Sequence, residues 1–411
     1  MSEKPAPSAA AHAPDGFLFS PSSRYPTPAA FLVDGDGGII HSWTHAAGQP
    51  APEDNPPSYL RGWNHVEADA DGNLYAIVPL KALLKLAPDS SLEWSCDVAA
   101  HHDVALGPTG DVLVLAEEPR RVTAGGRDHV ILDNLITTVR ADGTIGSQLS
   151  IYEILLTDAE LCRVVVAEIL RRAAAFRASG WPSDEPGTCP EDVRETAAIL
   201  ATGEHSGETR QALRRLRGLP GSPCDVLHTN TLEILDAHPT GRWHRGDVMV
   251  CMRELNIVAV IDPVGRRVRW WWGRDELSGP HQPSVLSDGR VLVFDNGVSR
   301  GSTRLLIIDP VTREVTWTWA ATPPESFFCP LAGGCEELPN GNLLVTDSTA
   351  GRAFEVTMAG AIVWRLALPA DLFGTKPGRV SIYRMTHVPA SVVARLQSNW
   401  SAGDVLTGAV A

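Results

Sequence analysis

No apolar run in this 411-residue chain approaches the roughly 20 residues that cross a bilayer as a helix, which argues against a membrane-spanning segment. Positive charge is in deficit as well. The 35 Lys and Arg against 49 Asp and Glu leave a formal charge of −14. Nucleic acid and anionic membrane surfaces are therefore excluded as partners, because phosphate binding needs concentrated positive charge. A small anionic substrate in a locally basic pocket stays compatible with this balance. The seven cysteines are scattered without CxxC spacing, and a Cys329–Cys335 pair has little support; they read as reduced thiols of a cytoplasmic protein. Residues 1–14 are rich in Ala, Pro and Ser but lack an apolar core segment. They read as a disordered leader, not as a signal peptide.

What is present is a well-stocked core, with 44% hydrophobic and 20% charged residues, and turn formers in number, 36 Gly and 31 Pro. Short strands joined by tight turns use residues in that way. A repeat organises them. One pattern is a strand, a two-residue turn and a strand ending in Trp or an equivalent apolar residue. It occurs at Phe31 to Trp43, Leu83 to Trp94, Thr137 to Leu149, Val258 to Trp272, Leu305 to Trp319 and Ala353 to Leu366. A second pattern alternates with it, at Asn64 to Val78, His102 to Ala116, His228 to Met252, His281 to Asp295 and Gly333 to Asp347. Alternating apolar and polar residues around Asp-Gly or Asp-Pro turns mark hairpins. Two alternating hairpin types at roughly 50-residue spacing predict an all-β fold, a β-propeller. The run Ser381 to Val393 supplies the missing inner strand by pairing near Phe17 to Phe19, which makes six blades and leaves no open edge.

The predicted domain layout is two propeller portions, 15–150 and 221–395, separated by a helical insertion at 151–220, with a tail at 396–411. The insertion rests on the helical period of Glu160 to Phe176 and two weaker segments after it. A lid over the axial mouth and a packing or homo-oligomer element are both open as its use.

Aligning the second pattern on its turn glycines, Gly72, Gly110, Gly289 and Gly341, and stepping back eight residues gives Asn64, His102, His281 and Gly333. The longer copy gives His228, and the closing strand offers Thr386 or His387. Innermost strands line a propeller's channel, so His102, His228 and His281 are predicted to converge on its axis as the active site. His65 and His101 lie beside this column and point sideways. Arg253 follows a strand opposite His228 and faces the same cavity or pairs with Glu254 or Asp103. Asn296 and Arg300 follow the strand opposite His281. Asn64, His387, Asn296 and Arg300 are candidate substrate-binding residues.

Several stretches resemble the bacterial aryl-sulfate sulfotransferase family that works without a nucleotide sulfate donor. They are HHDVAL (His101 to Leu106), HTNTLEI (His228 to Ile234), VMVCMRELNIVAVID (Val248 to Asp262) and GPHQPSVLSDGRVLVFDNGVSRG (Gly279 to Gly301). The likeness spans roughly residues 28 to 390 outside the insertion. It implies a six-bladed propeller whose channel site holds three histidines and an arginine. It carries the sulfate-accepting histidine onto His281, the supporting histidines onto His102 and His228, and the arginine onto Arg253. The chain departs from the pattern in its helical insertion and in having no export signal and no N-terminal β-sandwich. The implied substrate is a small aromatic or anionic molecule, with no cofactor. The rival reading gives the same three imidazoles to Zn, Fe or Cu as a metal-dependent hydrolase, lyase or oxygenase, with His387 or Asn64 completing the shell. A non-catalytic propeller presenting loops to a protein partner would leave the three histidines unexplained.

Overall fold

A computed structural model describes residues 15–21, 27–47, 62–178, 213–217, 223–368 and 382–398. Among them, 24 strands form six four-stranded antiparallel sheets, the blades of a propeller. Named from the axis outward, the second blade is β4 (Val66–Ala68), β5 (Leu74–Val78), β6 (Ala82–Leu86) and β7 (Leu92–Cys96). The third is β8 (Ala100–Leu106), β9 (Val112–Ala124), β10 (Arg127–Val139) and β11 (Ile145–Ser150), and the fourth β12 (Thr229–Ile234), β13 (Val248–Met252), β14 (Ile257–Asp262) and β15 (Arg267–Trp272). The fifth is β16 (His281–Val285), β17 (Val291–Asp295), β18 (Arg304–Ile308) and β19 (Val315–Ala320), and the sixth β20 (Gly334–Glu337), β21 (Leu343–Asp347), β22 (Arg352–Val356) and β23 (Ile362–Ala367). The first blade joins the two ends of the chain. Its inner strand β24 (Ile382–Val388) pairs with β1 (Gly16–Pro21), followed by β2 (Ala29–Val33) and β3 (Ile39–Thr44), in the register Phe17↔His387 and Phe19↔Met385.

The recurring tryptophans do more than fill the core. Each of several indoles on an outermost strand donates its Nε1–H to a carbonyl in the outer turn of the next blade. The pairs are Trp94 to Ala141 (3.1 Å), Trp272 to Arg313 (3.1 Å), Trp319 to Gly360 (3.0 Å) and Trp364 to Gly35 (2.8 Å). The last of these ties the sixth blade to the first. A hydrogen bond of this kind is worth about 0.5–1.5 kcal/mol net, and the ring adds apolar burial between blades. The acceptor turns are constrained in return: Gly143 has φ +82°, and a Cβ there would stand 2.8 Å from the Trp94 ring.

The insertion begins with α1 (Ile151–Leu155) and α2 (Ala159–Ala178), the latter covering the predicted helical segment. Ser150 caps α1 by accepting from the Glu153 amide, and Asp158 Oδ1 accepts from the Glu160 and Leu161 amides at the start of α2. Leu161, Val164, Val165 and Ile169 face inward at helical spacing. They pack on β9 and β10, a hairpin of 13-residue strands that outgrows its blade. Residues 213–217 form a short helical segment. The leader 1–14, most of 179–222 and the tail beyond 398 lie outside the described residues. Cys329 and Cys335 are both free and buried, so that pair does not form.

Candidate active site

The site is built where the inner strands begin, and there the strands are irregular. The β8–β9, β12–β13 and β16–β17 pairings slip in register between Ala100 and Val104, Thr229 and Thr231, and His281 and Ser284. The inner pairs β4–β5 and β20–β21, whose blades put Asn64 and Gly333 at this level, stay regular. A bulge re-aims a side chain; all three blades that carry histidines bend at this level, and so does the closing blade, whose β1–β24 register shifts between Phe19 and Pro21. His102 and His228 also sit at φ +58° and +48°. A non-glycine residue held in this left-handed region costs on the order of 1–3 kcal/mol, and such strain gathers at functional sites.

The rings of His102 and His228 meet edge to face with centroids 4.8 Å apart. His281 makes no ring contact with either. It lies close enough that its charge state responds to His228, and that of His102 responds to it. Each of the three has its Nδ1 engaged by the protein. His102 Nδ1 is 2.6 Å from Nδ1 of His101, whose Nε2 is 3.7 Å from the buried Glu117. His228 Nδ1 is 2.5 Å from Asp225 Oδ2, and His281 Nδ1 is 2.8 Å from Asn296 Oδ1.

The Asn296 amide fixes the His281 tautomer. Its Nδ2 donates to the carbonyls of Cys329 (2.7 Å) and Ala332 (2.9 Å). Turning the amide over would set its oxygen against two carbonyl oxygens. Oδ1 therefore faces His281, and Nδ1 must carry the proton that it accepts. The lone pair is left on Nε2, which has no hydrogen bond among the described residues. Burial, reinforced by the Arg253 guanidinium, pushes His281 down to about 3, so the ring is neutral at physiological pH. Burial and the neighbouring His228, His101 and Arg217 push His102 well below the ordinary histidine value. Asp225 is buried, which favours its neutral form, but His228 and Arg217 outweigh that and hold it as a carboxylate.

Arg253 opens a 3-10 turn, Arg253–Leu255, directly after β13. It pairs with Glu254, which in turn is bonded by Arg172 of α2, and its charge adds to the lowering of His281. Gly279, at φ +68°, lies close by: a Cβ there would stand 2.8 Å from Val298 and in ordinary contact, 3.9 Å, with Arg253 Nε.

The remaining sequence candidates are placed elsewhere. Asn296 orients His281 through the bond above. Arg300 joins Arg304 on the buried Asp295. Asn64 donates its backbone N–H to Ile77, and no side-chain bond is seen for it. His387 points its Nε2 at Asp15 (2.9 Å) and its ring at Phe17, away from the histidine group. The closing blade instead contributes Tyr383, whose ring centroid is 5.9 Å from that of His102, and whose carbonyl accepts from the Gly333 amide. Thr386 and His387 lie three and four residues further along β24, about 10–13 Å down the channel. No turn glycine follows this strand to anchor the count. Asp225, Glu117 and Arg217 carried no repeat signal and were not singled out. Among the described residues no three His, Cys, Asp or Glu side chains are grouped closely enough to hold a metal ion.

A family model for arylsulfotransferase (ASST) matches residues 86–368, more than half of the chain. The chain belongs to the arylsulfotransferase family. The match spans His102, His228, Arg253 and His281 and includes the insertion. Among curated proteins no sequence matches the chain. Solved structures similar to this arylsulfotransferase-family chain include a protein of unknown function from Bacteroides caccae, with 13% identity over 92% of this chain and 99% of that one, at a TM-score of 0.50. A streptogramin B lyase (10% identity, 87% and 89% covered, TM-score 0.43) and AztD from Citrobacter koseri (10%, 91% and 99%, 0.42) are more distant in shape. At these identities the likeness extends to the fold alone.

Proposed function

We propose that the protein moves a sulfuryl group from a phenolic sulfate ester to a phenol through a sulfohistidine at His281. The observation that carries this reading is the Asn296 amide, which leaves a neutral imidazole with its lone pair at Nε2 beside a guanidinium. Nε2 attacks sulfur, the N–S bond forms, and the S–O bond to the phenolate breaks. Splitting one transfer into two displacements is the gain from covalent catalysis. Arg253 faces the negative charge that gathers on the sulfuryl oxygens.

The departing phenolate takes its proton from His228. Asp225 holds His228 Nδ1 protonated, so that Nε2 is the nitrogen that exchanges protons. His102 is neutral at working pH and packs against the His228 ring, so His228 is the proton carrier of the two. In the second half the acceptor phenol returns its proton to His228 and attacks sulfur. The N–S bond then breaks and neutral His281 leaves, with its Nδ1–H still on Asn296. Atoms and charge balance without a nucleotide or metal.

The test is turnover of p-nitrophenyl sulfate with phenol as acceptor. Parallel double-reciprocal lines as the acceptor is varied are expected. Intersecting lines from direct transfer would overturn the covalent step, and no transfer across a panel of aryl sulfates would overturn the reaction.

A further inference from the structure

The insertion reaches the back of the site twice. From α2, Arg172 bonds Glu254, the partner of Arg253. From residues 213–217, Arg217 reaches the other side. Its Nε donates to Glu117 Oε2 (3.0 Å), a second nitrogen bonds the other carboxylate oxygen, and Nη1 stands 3.6 Å from Asp225 Oδ2. Glu117 and Asp225 are almost wholly buried, at 1% and 4% exposure. Glu117 stands behind His101 and, through it, His102; Asp225 stands behind His228. One guanidinium therefore lies between the two carboxylates that back the two touching rings. Without it, two buried anions would share one wall of the site with no cation between them, an arrangement that distorts or neutralises one of them.

We infer that Arg217 is a positioning residue of the active site: it bridges Glu117 and Asp225 and so fixes the orientation of both His102 and His228. The insertion is then a framework for the site's charges. The catalytic part of this inference rests on the transfer reaction proposed above; the geometric part does not.

A planar guanidinium holds two carboxylates at once, which an ammonium does less well. Its charge also bears on the rings. His102 is faced by His101, His228, His281 and Arg217, and His101 by Glu117, Arg217 and His228. Asp225 is faced by His228, Arg217 and Arg172. Arg217 opposes protonation of His101 and His102, so its removal lets them take protons at higher pH.

The experiment compares wild type, Arg217→Gln and Arg217→Lys by histidine-selective NMR titration and by the pH profile of p-nitrophenyl sulfate turnover. In Arg217→Gln, the titrations of His101 and His102 move up and the acid limb of kcat moves with them. The kcat falls by about 100-fold, the scale of a misplaced reacting group, while KM changes by less than about twofold. Arg217→Lys restores the titrations and part of kcat. Unmoved histidine titrations in a folded Arg217→Gln overturn the inference. Should the Gln variant not fold, Arg217→Lys decides it: a reduced kcat with wild-type titrations is expected, and full wild-type kcat overturns it. A wild type inactive on aryl sulfates defeats the reaction proposed above and leaves the titrations to decide the role of Arg217.

Discussion

The channel has two polar levels built from the same inner strands, and they are organised in opposite ways. At the upper level His102, His228 and His281 each engage one ring nitrogen with the protein, and among the described residues the other makes no hydrogen bond. At the lower level Glu67, Asp103, Glu233, Glu336 and Arg384 come from five different inner strands and are tied into the channel wall, Glu67 by His65, Glu233 by the Val285 amide and Asp103 by Arg384. Arg384 grips Asp103 through both terminal nitrogens, at 3.2–3.3 Å, and both are nearly fully buried. Asp103 Oδ2 also accepts from the Leu232 amide, and Glu336 accepts from the His387 amide at 2.5 Å. Backbone irregularity and open lone pairs go together at the first level; a buried guanidinium–carboxylate pair, Arg384 on Asp103, marks the second. The contrast assigns chemistry to the histidines and cross-blade cohesion to the carboxylates.

Substitutions at the two levels should therefore behave differently. The largest effect is expected for Asp225→Asn, which keeps the shape but frees the His228 tautomer. It should lower kcat by about 10²–10⁴-fold, the range of a general acid–base contribution, measured as p-nitrophenolate release at saturating donor. Asn296→Ala removes the acceptor that holds His281 Nδ1–H. It should cost about tenfold to a hundredfold in kcat, and a stop-flow trace should assign the loss to the first half-reaction. At the lower level, Glu233→Gln should leave kcat within about twofold and change stability instead.

The sign of that stability effect follows from which state binds more protons. Burial lowers His65 and His281 from 6.5 to about 3 and His101 to about 4. The unfolded chain binds more protons than the folded one in that window, so stability rises with pH up to about 6.5. Burial raises Glu67 and Glu336 from 4.5 to about 7 and Glu233 to about 8. There the folded state holds the protons, so stability falls as pH rises from 4.5 through 7–8. Above about 6.5 the glutamates act alone among these groups. Thermal melts should show Tm declining from pH 6.5 to pH 8 in the wild type, with a flatter decline in Glu233→Gln. An equal decline in the variant would show that the lower level does not carry the penalty.

The blades were legible because their hairpins alternate in type around turn formers, many of them Asp-Gly or Asp-Pro, and the outer strands end in an apolar residue, commonly Trp. The histidine column was legible because two blades, those of His102 and His281, repeat the eight-residue spacing from His to turn glycine, and the longer His228 copy matches by its leading residues. That spacing is silent about bulges, which leave residue counts unchanged while re-aiming side chains. It gave the closing blade the wrong residue, Thr386 or His387 in place of Tyr383, because β24 precedes no glycine turn of its own. Asp225 and Arg217 lie in and just after the insertion, where no period exists to align them, and only tertiary packing shows what they touch. The tryptophans read as core from composition; their indole bonds to the neighbouring blade depend on a blade-to-blade offset that no single repeat contains.

The central claim is that the lone pair of His281 Nε2 is the group that accepts sulfuryl. Enzyme quenched after incubation with p-nitrophenyl sulfate and no acceptor, digested and sequenced by mass spectrometry under mild alkali, tests it directly. The account predicts close to one sulfuryl group per chain on His281, matched by a burst of p-nitrophenolate, and neither in His281→Ala. Normal turnover by His281→Ala, or a sulfuryl group found on another residue instead, would contradict it.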